Sequence, residues 1–105
     1  MSTHNIIKCE YPLPVKENIP IDNFQTSNFY GINERYTITK DGKIFHHYSN
    51  YGTSMSIELM KISDEIKMRT MFNNILYEFE VTFNEGKCIR IILLEKTDFN
   101  PPKLK

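Results

Sequence analysis

The sequence predicts a small, mostly β protein built as a single antiparallel domain, a small sandwich or a partly open barrel. Three observations predict it. The chain has no alanine, while Ile (14), Asn (10), Phe (7) and Tyr (6) are abundant, a composition that favours strands over helices. The run YEFEVTF (77–83) alternates without a break, with Tyr77, Phe79, Val81 and Phe83 on one face and Glu78, Glu80 and Thr82 on the other. Asp41-Gly42, Asn73-Asn74 and Glu85-Gly86 each sit between strand-like runs and carry the chemistry of tight hairpin turns.

Taken in order, residues 1–33 read as an extended segment punctuated by Pro12, Pro14 and Pro20, with NIIKCEY before the prolines as an edge strand. After them comes the short aromatic stretch FQTSNFYG, closed by Gly31. Residues 34–49 read as a hairpin. A three-residue loop Lys40-Asp41-Gly42 pairs Ile38 with Ile44 and Tyr36 with His46, whereas a two-residue Asp-Gly turn pairs Ile38 with Phe45; the isoleucine pairing favours the first. Residues 56–95 read as a four-stranded meander, and 96–105 as a tail. Within the meander an Asn73-Asn74 turn pairs Phe72 with Ile75, Met68 with Phe79, Ile66 with Val81, Arg69 with Glu78 and Lys67 with Glu80. A helix from Ser63 accounts for fewer of these matches. A three-residue loop ending at Gly86 pairs Val81 with Ile89, Phe79 with Ile91, Tyr77 with Leu93 and Glu80 with Arg90, because a two-residue turn would set Arg90 against the core. SIELMKI (56–62) adds the fourth strand, with Met60 beside Met68 and Ile62 beside Ile66.

That register sends Ile57, Leu59, Met71, Leu76, Ile92 and Leu94 outward toward one end of the sheet. They form either the underside of a second layer supplied by residues 1–33 or an interaction surface. A second group of interface candidates is aromatic: Phe24, Tyr30, Tyr48 and Tyr51, with Tyr11 and Phe29 nearby. Adjacent His46 and His47 point to opposite faces of any regular strand, so they do not jointly chelate one metal. Tyr36, His46 and His47 are the polar contacts of an alternative, a small-ligand or nucleotide binder inside a partly closed barrel. A third reading stacks single-stranded nucleic acid on Phe45, Tyr48 and Tyr51, with Arg35, Lys40 and Lys43 nearby. It is weakened by charge, since Lys+Arg and Asp+Glu are both 13 and the formal net charge is zero. Cys9 and Cys88 have no metal-type spacing, and no phosphate loop, nucleophile elbow or ligand cluster is present. The expectation is therefore no catalytic residues, no metal and no cofactor. The longest apolar run, Ile91 to Leu94, is far too short to span a membrane; a cytoplasmic protein is expected.

Phe24-Gln25-Thr26, then Tyr36-Thr37-Ile38 with Asp41-Gly42-Lys43-Ile44, then Phe83-Asn84-Glu85-Gly86-Lys87 follow one another in an order with a precedent. It resembles a loose group of small phage and prophage proteins with a Trp-Gln-Thr-Lys motif, a Tyr-x-Ile-x-x-Asp-Gly-x-Leu hairpin and a Phe-x-x-Gly-Lys turn. Phe24 stands where the group favours Trp, and Ser27 where it favours Lys. The group has no assigned activity. The resemblance implies an origin on mobile DNA, action in the host cytosol, and a non-enzymatic protein that binds and modulates or inhibits a host protein by steric contact, anti-defence inhibition being one instance. Self-association through the outer apolar patch is the simplest further expectation.

Overall fold

In the computed structural model, residues 4–29 and 34–102 are described. Among them eight strands and no helix are found: β1 (Asn5–Cys9), β2 (Phe24–Thr26), β3 (Arg35–Ile38), β4 (Ile44–Asn50), β5 (Thr53–Glu58), β6 (Asp64–Phe72), β7 (Ile75–Asn84) and β8 (Lys87–Asp98). They form one mixed sheet in the order β5-β4-β3-β1-β2-β6-β7-β8, which is not closed into a barrel. Every neighbouring pair is antiparallel except β1 and β3.

The β6–β7 hairpin follows the expected register throughout. Phe72 faces Ile75, Met68 faces Phe79, Ile66 faces Val81, and Arg69 and Lys67 face Glu78 and Glu80. Asn73 and Asn74 both take positive φ, 54° and 59°, the requirement of a two-residue type I′ turn that asparagine meets at low cost. The alternation of β7 becomes alternation of burial. Tyr77, Phe79, Val81 and Phe83 enter the core while Glu78, Glu80 and Thr82 stay partly exposed. The β3–β4 hairpin likewise pairs Ile38 with Ile44 and Tyr36 with His46 around a three-residue loop. Thr39 Oγ1 accepts from the Lys43 amide at 3.0 Å and helps to hold that loop open.

Several expectations are corrected. First, the β7–β8 turn has two residues, with Glu85 at φ 48° and Gly86 at 83°, and Asn84 pairs with Lys87. The phase is restored by bulges, one at Ile89 and one at Leu94, so Val81 meets Ile91, Phe79 meets Leu93, Thr82 meets Arg90 and Tyr77 meets Lys96. Arg90 is therefore opposite Thr82 rather than Glu80, and Ile89 is squeezed out to 57% exposure. Second, residues 56–62 supply no fourth meander strand. β5 pairs with β4, and the free side of β6 is taken by β2, Gln25 opposite Arg69. Met60 is consequently exposed instead of lying beside Met68. Residues 59–63 fold over the β7–β8 turn instead, where Gly86 donates its amide to the Ile62 carbonyl at 2.8 Å. A Cβ at Gly86 would collide with the Met60 carbonyl. Third, NIIKC is no edge strand. It lies in the middle of the sheet, parallel to β3 and antiparallel to β2, and β8 continues to Asp98 where a tail was expected.

The first part of the chain thus enters the sheet rather than forming a second layer across it. What does cross the core face is the proline-punctuated segment between β1 and β2. Its missing amide donors suit a strap outside any ladder, and Leu13, Val15 and Ile19 pack against the core. Glu17 fastens the strap, accepting from the Tyr77 hydroxyl at 2.8 Å and from Lys96 Nζ at 2.7 Å. Those bonds, with Lys96 first, pull the Glu17 carboxyl down to about 2. The core beneath contains Ile7, Cys9, Phe24, Ile38, Ile44, Ile66, Met68, Phe79 and Val81. Each large apolar side chain fully buried there contributes about 1.5–3 kcal/mol. Burial also pushes the Cys9 thiol up to about 12, so it behaves as an apolar filler. The sheet curls until the β3–β4 loop meets the β7–β8 turn: Cys88 donates its amide to the Gly42 carbonyl at 2.7 Å, and Lys43 bridges to Lys87.

Candidate functional site

The alternation of β3 and β4 brings four rings into a ladder. Tyr36 and His46 are direct cross-strand partners, and Tyr48 lies two residues beyond His46 on the same face. Phe29 stacks on Tyr36 with centroids 4.2 Å apart, Tyr36 on His46 at 4.8 Å, and His46 reaches Tyr48 at 5.7 Å. The Glu34 carboxylate accepts from His46 Nε2 at 3.2 Å and fixes the imidazole plane against the tyrosine. Burial, reinforced by the Glu34 charge, raises the Tyr36 hydroxyl above its ordinary value, so it stays a neutral phenol.

The ladder runs from the core to open solvent. Tyr36 is buried, Phe29 and His46 are half-buried, and Tyr48 is at the edge of exposure. β5 extends the same face, with Ile57 opposite His46 and Met55 opposite Tyr48. Ile57 is 52% exposed and Met55 is also open. At the tip of this β4–β5 arm, Tyr51 and Gly52 form a two-residue turn with φ of 51° and 79°, and Tyr51 is 100% exposed. Residues 44–57, the whole arm except its last strand residue, contain no Lys, Arg, Asp or Glu.

His47 points the other way, as the alternation requires. Its Nε2 lies 2.7 Å from Thr37 Oγ1 and its Nδ1 2.6 Å from Ser56 Oγ. A neutral imidazole donates through one nitrogen and accepts through the other, so His47 bridges two hydroxyls across three strands. A Ser–His contact is also the first requirement of a nucleophile–base pair. Here the orienting position holds Thr37 rather than a carboxylate, and Ser56 sits on an open strand edge. Cross-strand bracing is what this geometry does. No group of three or more His, Cys, Asp or Glu suited to a metal occurs among the described residues.

No family model matches the chain, and no match was found among curated proteins or solved structures.

The remaining candidates are dispersed. Phe24 is fully buried, edge-on to Phe79 at 5.9 Å, and belongs to the core. Tyr30 lies outside the described residues. The six-residue apolar patch does not assemble. Ile57 and Leu59 face the core side of the sheet beside His46 and Ile44, whereas Met71 and Leu76 pair on the opposite face beyond four intervening strands. Glu78 and its partner Glu95 separate Leu76 from Ile92, and Leu94 occupies a bulge. Met71 is exposed, but with charged neighbours along its row. Nor do Tyr36 and His46 line an enclosed chamber, because the sheet does not close and the curled face is filled by side chains. Met55 and the backbone edge of β5 were missed as site elements. The signal for both was the unbroken charge-free run 44–57.

Proposed function

We propose that the chain is a non-enzymatic protein-binding module, acting by steric contact through the open end of the ring ladder. The supporting observation is that one sheet face continues without interruption from the core onto an uncharged arm, exposing Tyr48, Tyr51, Met55 and Ile57. Interface centres are rich in aromatic residues and Met and poor in charge, and the Phe29–Tyr36–His46 stack gives the inner end of this face a firm backing. The motif resemblance supports a phage or mobile-element origin and a host protein as the target, an anti-defence inhibitor being one form. The test is affinity capture from host lysate by the folded wild-type chain, by a Tyr48→Ala/Tyr51→Ala/Ile57→Ser variant, and by a Met71→Ser variant of the opposite face. The proposal expects a host protein retained by the wild type and by Met71→Ser and lost by the arm variant. Capture indifferent to the arm substitutions overturns it.

A further inference from the structure

Among the described residues the two outer edges of the sheet are β5 and β8, and of these β8 is the protected one. β8 carries five charged residues in twelve, Lys87, Arg90, Glu95, Lys96 and Asp98, and is broken by two bulges. Charge and bulges are the common devices that stop an edge strand from pairing with another chain. β5, TSMSIE, has no charge before Glu58, no proline and no shift in its ladder with β4.

The phase of that ladder identifies which backbone groups are free. The Tyr51-Gly52 turn is closed by Asn50 and Thr53, and Leu59 donates its amide to the Ile44 carbonyl at 2.9 Å. Antiparallel partners alternate between exchanging both hydrogen bonds and directing both groups away. Thr53, Met55 and Ile57 therefore turn their backbone groups toward β4. Ser54, Ser56 and Glu58 turn theirs toward the open edge.

From this we infer that β5 is a self-pairing edge, adding antiparallel to β5 of a second copy about a two-fold axis through Ser56. In this register Ser56 faces Ser56 of the second copy, Ser54 faces Glu58, and Met55 faces Ile57. The free amides and carbonyls meet as hydrogen-bonded pairs, apolar side chains meet apolar ones on the ladder face, and each Glu58 lies opposite a serine rather than another carboxylate. The self-complementarity of the uncharged edge is what selects a second copy as occupant. The inference rests on the open arm but not on the host-protein reading: the copy is held by the backbone edge of β5, and although Met55 and Ile57 border both surfaces, Tyr48 and Tyr51 take no part in the pairing.

Sedimentation velocity from micromolar to millimolar concentration tests it, on the wild type, Ser54→Pro, Met55→Lys and, on the other edge, Leu94→Lys. Ser54→Pro removes a free-edge amide, a change edge strands tolerate. Met55→Lys keeps every amide and adds charge. The expected result is a concentration-dependent dimer for the wild type and Leu94→Lys, with self-association at least about tenfold weaker in both arm variants. A wild type that stays monomeric throughout, or arm variants that associate as tightly as the wild type, overturns the inference. Host capture by monomeric Ser54→Pro separates its fate from that of the proposed function.

Discussion

The β6–β8 meander and the β4–β5 arm are built from hairpins with the same kind of two-residue turn, yet they are held by different means. Asn73-Asn74, Glu85-Gly86 and Tyr51-Gly52 all place both turn residues at positive φ. In the meander the strands on either side of the turns bury a continuous set of side chains, Ile66, Met68, Tyr77, Phe79, Val81 and Ile91, and place Lys67 and Arg69 opposite Glu80 and Glu78 behind them. In the arm the side chains from Ser49 to Ile57 are exposed, and β5 has one neighbour among the described residues. Register in the meander is enforced by burial. In the arm it rests on the turn, the ladder hydrogen bonds and the Ser56–His47–Thr37 bridge. A segment stabilised so lightly in isolation is suited to complete its packing against another molecule.

The contrast is broken or confirmed first by truncation. Phe79→Ala removes a fully buried ring that touches Phe24 and Tyr77, and should cost about 3–5 kcal/mol. Tyr51→Ala should stay within about 0.5 kcal/mol. Urea unfolding followed by circular dichroism measures both. Comparable losses would mean that the arm is packed as tightly as the meander.

A smaller difference separates two glycines. Both need positive φ, so alanine costs roughly 1–2 kcal/mol of backbone strain at either. At Gly52 nothing lies within 4 Å of an added Cβ, whereas at Gly86 the Met60 backbone blocks it. Gly86→Ala should therefore destabilise clearly more than Gly52→Ala. Equal effects would place residues 59–63 away from the turn.

The strap gives a pH signature. The folded Glu17 carboxyl is held at about 2 against an ordinary 4.5, first by Lys96 and then by Tyr77. A depressed carboxyl contributes stability that is complete above about 4.5 and fades as pH falls toward about 2. The melting temperature of the wild type should exceed that of Glu17→Gln above pH 4.5, and the gap should close toward pH 2. Because Glu17 is solvent-accessible the gap will be modest, and salt should narrow it. A gap independent of pH would assign the Glu17 effect to packing.

Much of this architecture is written in the alternation. The β6–β7 and β3–β4 registers follow from it pair by pair, because one-residue slips there would exchange charged and apolar faces. The β7–β8 pairing shows what alternation leaves open. The pattern demands that one residue be taken up between Phe83 and Ile91, and either a longer turn or a bulge satisfies it. Glu85 adopts positive φ, so the turn stays short and Ile89 is expelled instead. NIIKC, just ahead of the proline-punctuated segment, reads as an edge strand, but Ile7 and Cys9 on one face suffice to fill a central position. The pairing of β2 with β6 rests on a three-residue strand and Gln25 opposite Arg69, too little for any local pattern to announce. That pairing displaced residues 56–62 from the meander and divided the expected apolar patch between two faces. The ladder, by contrast, was half legible: the Tyr36–His46 pair follows from the hairpin register, while Phe29 joins it from a segment distant in sequence.

Residue-resolved amide hydrogen exchange at low and high protein concentration tests the central claim, an open β5 edge at one end of the sheet and a deeply buried meander at the other, most directly. The account predicts slow exchange at Phe79 and Val81 at both concentrations. Ser54, Ser56 and Glu58 should exchange fast in dilute solution and slow as concentration rises, while Met55 and Ile57 are protected by β4 throughout. Protection of Ser54 and Ser56 equal to that of Val81 in dilute solution, or fast exchange at Met55 and Ile57 in their place, would contradict it.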